Sequence, residues 1–282
     1  MCTYRRATCV ERSIQFFLDQ DYKGEKELII YNTDEEYPLE LSKQLEKELG
    51  LETVIIINNN IDYVTGKPYD NIGSIRRDSI KHANGDYYIC WDDDDVFLPW
   101  NIRQCVDGLN KNPEYWAWKP RKSLFWHTIN KLEIAENSME ASVISKKSEI
   151  LSHGFKDQKE EAGKEHLKWM MAFITKKKIF IDEDSIPGYC FNWSDTGVMR
   201  GNKQSGTIKH EDNFTLHKEL TLDYAKGPLR VFNKLEIKKI YDKLIKCIKD
   251  NVGKEFKSGQ SSTIKYSIKQ ELIEKYISDH EL

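Results

Sequence analysis

The stretch YYICWDDDDVFLP, residues 87–99, decides the fold and places the candidate site. Residues 87–91 have the apolar character of a short buried strand, and residues 92–95, here called the aspartate run, follow at its carboxyl end. Four adjacent carboxylates repel one another, so they need hydrogen bonds, cations or a bound metal. A solvated surface turn is the alternative, but the apolar residues on both sides favour a turn that binds phosphate and Mg(II) or Mn(II).

Helices and strands alternate outward from this stretch. Helical apolar spacing covers residues 7–20, 39–49, 72–83 and 99–111, and strands are predicted at 28–31, 53–57 and 87–91. This order predicts an α/β fold with a mostly parallel, Rossmann-like sheet and helices on both faces. Ligands of such sheets bind beyond the carboxyl ends of the strands. The aspartate run and the polar turn Asn32, Thr33 and Asp34 both lie there.

The rest of the chain predicts antiparallel strands, a lid loop and a basic C-terminal region. Residues 112–150 carry aromatic side chains that either pack in the core or stack on a sugar: Tyr115, Trp116, Trp118, Phe125 and Trp126. A helix is predicted at 160–176, a strand at 179–181 and a lid at 194–215 with Arg200, Lys203, His210 and His217. We expect a main domain over 1–228 and a lysine-rich helical region over 229–282. The basic face of that region is either solvated or contacts an anionic membrane or DNA.

Composition favours a globular protein of the cytoplasm. The 282 residues are 39% hydrophobic and 32% charged, with a formal net charge of −3. No run of about 18 apolar residues and no apolar signal-peptide core is present. The six cysteines form no CxxC pair, so we expect free thiols in a reducing compartment.

The segments NIGSIRRDSI (71–80) and ANGDYYICWDDDDVFLP (83–99) resemble the family 2 glycosyltransferases of the GT-A fold. That family has a glycine, an arginine, the pattern A-x-G-(E/D)-(Y/F)-I, and D-x-D-D with a following proline. CTYRR (2–6), QDY (20–22) and ELII (27–30) are similar to its first motif, first helix and second strand. The apolar strand that precedes the first motif is missing here or only a stub, so either the sheet lacks it or the start has been trimmed. The compact aspartate run with Gly-x-x-Arg is similar to glycosyltransferases of tailed phages.

The resemblance implies roles by position. The nucleotide would meet Thr3, Tyr4 and Arg6, the base would meet Asn32, Thr33 and Asp34, and the phosphates would lie near Arg76. Asp92 and Asp94 match the D-x-D pattern, with Asp94 as the direct metal ligand. Asp93 is then a neighbour at the nucleotide and Asp95 a structural residue.

The resemblance also implies a catalytic base and an inverting transfer. The segment GKEHLKW (163–169) matches the late helix whose start carries the family's Glu-Asp pair. Glu165 is the first choice for the base that takes the acceptor proton. His166 stands where Asp is usual and is the alternative, followed by Glu160 and Glu161.

The expected substrates follow from these roles. The donor is a nucleoside diphosphate sugar, with a UDP-sugar favoured, although Asn32 and Thr33 replace the usual acidic pair at the base. The acceptor is a surface glycan or lipopolysaccharide, or hydroxymethylcytosine in phage DNA. A sugar nucleotidyltransferase would need a glycine-rich phosphate loop near the N-terminus. Gly24 is the single glycine among residues 1–24, which argues against that class of enzyme. A non-catalytic carbohydrate-binding or metal-binding module stays open.

Overall fold

The computed structural model describes residues 1–4, 6–50, 52–128, 131–137, 139–153, 167–192, 227–257 and 265–280. Its first half contains β1 Cys2–Thr3, α1 Ala7–Leu18, β2 Glu27–Asn32, α2 Lys43–Leu49, β3 Thr53–Asn58, α3 Ile72–Ile80, β4 Tyr87–Ile89, β5 Val96–Phe97 and α4 Asn101–Lys111. Strands β1, β2 and β3 form a parallel sheet in that order. The α/β class is confirmed, and β1 consists of only two residues of the first motif.

The second half brings in antiparallel pairing. It contains β6 Ala117–Pro120, β7 Lys122–Thr128, β8 Lys131–Glu136, β9 Ile144–Lys146, α5 Lys147–His153, α6 Leu167–Thr175, β10 Ile179–Asp182, β11 Tyr189–Asn192, α7 Lys234–Lys249, β12 Phe256–Lys257, β13 Lys265–Tyr266 and α8 Gln270–Tyr276. One mixed sheet has the order β10-β6-β9-β4 and another β5-β11-β7-β8. The antiparallel neighbours of β4 and β5 fold the middle of the chain back beside the aspartate run.

Capping residues explain where the predicted helix boundaries were wrong. Helix α2 begins at Lys43 rather than at residue 39, because the Ser42 hydroxyl accepts from the Leu45 N–H at 3.2 Å and acts as the N-cap. Helix α3 begins where the sequence predicted, because the Asn71 side chain accepts from the Ser74 N–H at 2.8 Å. The predicted strand 87–91 ends at Ile89.

The aromatic stretch contributes mainly to the core. Trp118 and Trp126 are buried, which favours core packing over sugar stacking for both residues. Gly108 lets α4 approach β6, since a Cβ there would lie 2.3 Å from the Trp118 ring. Trp116 is partly buried and stacks on His153, with ring centroids 4.8 Å apart.

Helix α7 packs on the first half of the chain. Its buried residues, Ile237, Ile240, Tyr241, Leu244, Ile245 and Ile248, belong to the same apolar core as residues of α1 and β2. Tyr241 lies 5.8 Å from Phe16 between ring centroids. Leu235 is exposed, although its spacing suggested an apolar face. Across the described ranges, none of the helices combines the length and apolar character that crossing a bilayer requires.

Candidate functional site

The aspartate run is a turn whose two ends are held together by aromatic rings. Trp91 and Phe97 flank the run and stack with ring centroids 3.7 Å apart and planes 11° apart. Trp91 Nε1 also donates to Ser13 Oγ of α1 at 2.8 Å. The apolar residues that frame the run therefore fix its position after β4 and against α1.

Two of the four carboxylates point into the protein. Asp93 has a side chain that is 1% exposed and accepts from Thr3 Oγ1 at 2.7 Å. Asp95 is also buried and accepts from the Tyr189 hydroxyl and, at 2.9 Å, from the Asn192 backbone N–H. These contacts tie the run to β1 on one side and to β11 on the other.

The other two carboxylates are partly exposed and pair with arginines. The side chains of Asp92 and Asp94 are 27% and 18% exposed. Asp92 pairs with Arg76 at 2.8 Å, and Asp94 pairs with Arg6 at 2.9 Å. The two residues of the D-x-D pattern thus place carboxylate oxygens beside two guanidinium groups, on the side of the run that a ligand can reach.

Helix α1 brings two guanidinium groups to the run. Arg6 precedes the first turn of α1, donates to Asp94 at 2.9 Å and forms an ion pair with Asp93 at 3.0 Å. The buried Arg12 donates to the Asp94 main-chain oxygen at 3.2 Å. Burial lowers the pKa of Arg6, but Asp93 and Asp94 outweigh burial and raise that pKa above its usual value. Arg6 therefore stays charged at any physiological pH.

Glu140 joins the site although no motif points to it. Glu140 Oε1 accepts from Arg76 Nη1 at 2.9 Å, while Arg76 Nη2 donates to Asp92. Glu140 begins a short 3-10 helix, and 64 residues separate it from Arg76 in the chain. An acidic residue between apolar Met139 and Ala141 is the only sequence signal. Arg76 is thus held between two carboxylates.

Burial raises the pKa values of three carboxyl groups in the run. It raises the pKa of Asp93 to about 6, although Arg6 lowers it, and it raises the pKa values of Asp92 and Asp95 too. The nearby Asp94 carboxylate adds to all three shifts. The run therefore crowds carboxyl groups into a poorly hydrated turn, where a further cation would favour their ionised forms.

The cysteines beside the run are not activated. All six cysteines of the chain are free, as expected. Burial raises the pKa of Cys9 to about 12, and burial also raises the pKa values of Cys2 and Cys90. Because the thiolate is the reactive form, these thiols are poor nucleophiles.

The turn after β2 meets the aspartate run through Thr3. The Thr33 N–H donates to the Thr3 carbonyl oxygen at 3.2 Å, while the Thr3 hydroxyl reaches Asp93. Tyr4 follows Thr3 and is 52% exposed. Two of the predicted nucleotide-binding segments are therefore in direct contact.

Asn32 and Asp34 make hydrogen bonds within their own turn and to the end of β3. Asn32 Nδ2 donates to Asn58 Oδ1 at 2.9 Å and to the Tyr37 carbonyl oxygen at 3.0 Å. Asp34 is buried and accepts from the Glu36 N–H at 3.0 Å. These bonds give the turn a fixed shape at the carboxyl end of β2.

The predicted base lies outside the described residues. This holds for Glu165 and His166, for Glu160 and Glu161, and for the lid at 194–215 with Arg200, Lys203, His210 and His217. Helix α6 begins at Leu167, the residue after His166 in the chain.

Asp92 and Asp94 are the two carboxylates of the run that a divalent cation could reach. Within the described ranges, no group of three or more His, Cys, Asp or Glu side chains surrounds a common point. Mg(II) and Mn(II) need no such group when one or two carboxylates hold them together with phosphate oxygens and water. Asp92 and Asp94, which are partly exposed, could supply hard oxygen ligands of this kind.

Solved structures to which this chain is similar include two of S. aureus TarS 1–349. The one in complex with UDP is 13% identical, with a TM-score of 0.47, and the match covers 69% of this chain and 59% of that one. The complex with UDP-GlcNAc is 13% identical with a TM-score of 0.46, and the match covers 67% of this chain and 56% of that one. HddC from Yersinia pseudotuberculosis is 12% identical with a TM-score of 0.31, and the match covers 61% of this chain and 75% of HddC. This chain spans less than two thirds of the length of the TarS structures, and no curated protein sequence matches it.

The sequence model described as Glycosyl transferase family 2 matches residues 1–182. That range runs from β1 to the end of β10 and contains the whole aspartate run with Arg6, Arg76 and Glu140. The chain therefore belongs to glycosyl transferase family 2 and has the GT-A type of α/β fold.

Proposed function

We propose that this chain is a glycosyltransferase that moves a sugar from a nucleoside diphosphate sugar to an acceptor hydroxyl. The proposal is carried by one observation, the pairing of solvent-facing Asp92 and Asp94 with Arg76 and Arg6 in a chain of this family. A diphosphate leaving group develops negative charge in the transition state. Cations that are already in place stabilise that charge.

The donor is assigned as a UDP-sugar that lies across the joined segments of the site. Its nucleotide would lie along Thr3, Tyr4 and Arg6, with the base against the turn of Asn32, Thr33 and Asp34, and with Arg76, Asp92 and Asp93 at the phosphates. The Thr33–Thr3 hydrogen bond supports this assignment, because one elongated ligand can then touch the turn and the run. Asp94, with Asp92, would hold Mn(II) or Mg(II), which when bound supplies positive charge to the diphosphate.

The reaction is a displacement at the anomeric carbon. The acceptor oxygen forms the new bond as the bond to the diphosphate oxygen breaks, and the acceptor proton passes to a base. We assign that base to Glu165, with His166 as the alternative and Glu160 or Glu161 after them. Attack opposite the leaving group inverts the anomeric centre. Arg6 and Arg76 hold the departing diphosphate.

The acceptor is assigned as a surface glycan or lipopolysaccharide, in the cytoplasm of the producing or infected cell. Hydroxymethylcytosine in phage DNA is the alternative acceptor. Helix α7 starts the proposed region 229–282, and its apolar side is buried against the core. A contact of α7 with a membrane or DNA would therefore use mainly its exposed lysines.

The test compares Asp94→Ala with Asp242→Ala. Asp242 forms an exposed ion pair with Lys238 on α7 and controls for loss of a surface carboxylate. We expect Asp94→Ala to lower Mn(II)-dependent sugar transfer and donor hydrolysis by about 100-fold or more, with Asp242→Ala near wild type. Metal-dependent turnover that survives in Asp94→Ala would remove the assignment.

A thermal-shift screen of nucleoside diphosphates with Mn(II) identifies the nucleobase of the donor, because ligands that bind the folded state raise its melting temperature. UDP should give the largest rise. Intact Mn(II) binding with no hydrolysis of any common donor would instead favour a non-catalytic binding module.

A further inference from the structure

Arg6 bridges two carboxylates that differ in their access to ligands. Its Nη1 donates to Asp94 Oδ2 at 2.9 Å, and its Nη2 lies 3.0 Å from Asp93 Oδ1. Asp93 is 1% exposed, whereas Asp94 is 18% exposed. One arm of the guanidinium group therefore ends inside the protein, and the other ends at the ligand-facing side.

Hydrogen bonds hold the main chain of Asp94 in place, whereas its carboxylate can pair with different cations. Arg12 and Asn192 donate to the Asp94 carbonyl oxygen at 3.2 Å and 3.0 Å, from α1 and from the end of β11. Such contacts hold the turn while the carboxylate stays at the surface. The Asp93 carboxylate is held in addition by Thr3 at 2.7 Å.

We infer that Arg6 is an exchangeable counter-ion, anchored on Asp93, that competes with the divalent cation for Asp94 and turns to the donor diphosphate when the cation enters. The inference rests on the proposed function. A guanidinium group and a divalent cation repel each other when both approach one carboxylate, so either one weakens the binding of the other. A diphosphate relieves that repulsion because it accepts hydrogen bonds from Arg6 and also ligates the cation.

This exchange predicts that metal and nucleotide bind cooperatively, with Arg6 as the coupling residue. The cation alone binds weakly because it must displace Arg6 from Asp94. Nucleoside diphosphate gives Arg6 a new partner, so each ligand raises the affinity for the other by the same factor. A merely structural Arg6 would not produce opposite effects on the two ligands.

The experiment measures Mn(II) binding to the full chain by electron paramagnetic resonance and UDP binding by calorimetry at saturating Mn(II). In Arg6→Gln we expect Mn(II) alone to bind about tenfold tighter and UDP to bind about tenfold weaker. Arg6→Lys keeps the charge but lacks the two-armed fork. It should also raise the affinity for Mn(II) and lower the affinity for UDP, each by less than Arg6→Gln does.

Arg103→Gln is the matched control. Arg103 donates to both oxygens of Asp21, at 2.9 Å and 2.6 Å, just beyond the C-terminal end of α1. A helix of 12 residues is about 18 Å long, so this ion pair is remote from Arg6. We expect both affinities of Arg103→Gln to match wild type.

The outcomes separate this inference from the proposed function. Unchanged Mn(II) affinity, or a change of both affinities in one direction, in either Arg6 variant overturns the exchange and leaves the glycosyltransferase assignment standing. Absence of Mn(II) binding in wild type and both variants, with and without UDP, overturns the metal role itself. If Arg6→Gln does not fold, Arg6→Lys decides alone.

Discussion

Arg76 and Arg77 are neighbours on α3, yet they contact two different clusters of carboxylates. Arg76 faces the aspartate run and Glu140, with distances of 2.8 and 2.9 Å. Adjacent helical residues point about 100° apart, so one helix can serve both clusters. Arg77 instead contacts the outer cluster, which consists of Asp62, Tyr69, Asp78 and Lys81.

The carboxyl pKa values of the two clusters shift in opposite directions. Burial raises the pKa of Asp78, but hydrogen bonds from Arg77, Lys81 and Tyr69 outweigh burial and hold that pKa well below its usual value. In the aspartate run burial prevails, and the pKa of Asp93 rises to about 6. The outer cluster is therefore saturated with donors and stabilises the fold. In the aspartate run the arginines do not offset burial and mutual repulsion, so a further cation there would favour the ionised carboxylates.

The largest expected effect distinguishes the two arginines directly. Arg76→Lys keeps the charge but loses the planar fork that spans Asp92 and Glu140. We expect kcat/KM for sugar transfer to fall about 100-fold, because the lysine cation is no longer held in position at the leaving group. Steady-state kinetics at saturating Mn(II) measure this.

Arg77→Lys is the control for Arg76→Lys. It alters the same kind of side chain on the same helix but at the outer cluster. Its kcat/KM should stay within about twofold of wild type. Equal losses in both variants would mean that α3 as a whole, rather than the aspartate run, supports activity.

A smaller effect is expected at Glu140, which acts on the reaction through Arg76. Glu140→Gln leaves an oxygen that can accept from Arg76 but removes the charge that holds it. We expect kcat to fall about tenfold with little change in KM, since the arginine is then less firmly placed for the transition state. Glu136→Gln is the control, because Glu136 pairs with Arg121 outside the run. A rise in KM with unchanged kcat would instead assign Glu140 to ground-state binding.

The position of the aspartate run could be predicted from the sequence. Alternating helices and strands place residues 92–95 at the carboxyl end of a strand, and apolar neighbours indicate that the run is framed. The stacking of Trp91 on Phe97 is the physical form of that framing. Local pattern suffices here because the relevant residues are close in the chain.

Contacts between distant segments could not be predicted in this way. Arg12 lies in an amphipathic helix, where a charged residue suggests a solvated face, but α1 is covered by the run on one side and by α7 on another. Glu140 is equally hidden, since its partner Arg76 is far away in the chain. Such residues are defined by what the tertiary fold brings to them rather than by spacing.

The smallest expected effect tests the outer cluster through pH. The folded-state pKa of Asp78 lies below the usual value of 3.8, so its contribution to stability is complete above about pH 4 and is lost as pH falls further. Asp78→Asn should therefore reduce the free energy of unfolding by about 1 kcal/mol at pH 7, with the difference from wild type shrinking towards pH 3. Urea unfolding at pH 7, 5 and 3.5 measures this, with the surface variant Asp242→Asn as control. A difference that stays constant with pH would show that lost packing, rather than the ionised carboxylate, accounts for the effect. Unchanged turnover of Asp78→Asn at pH 7 would show that the outer cluster contributes to stability rather than to the reaction.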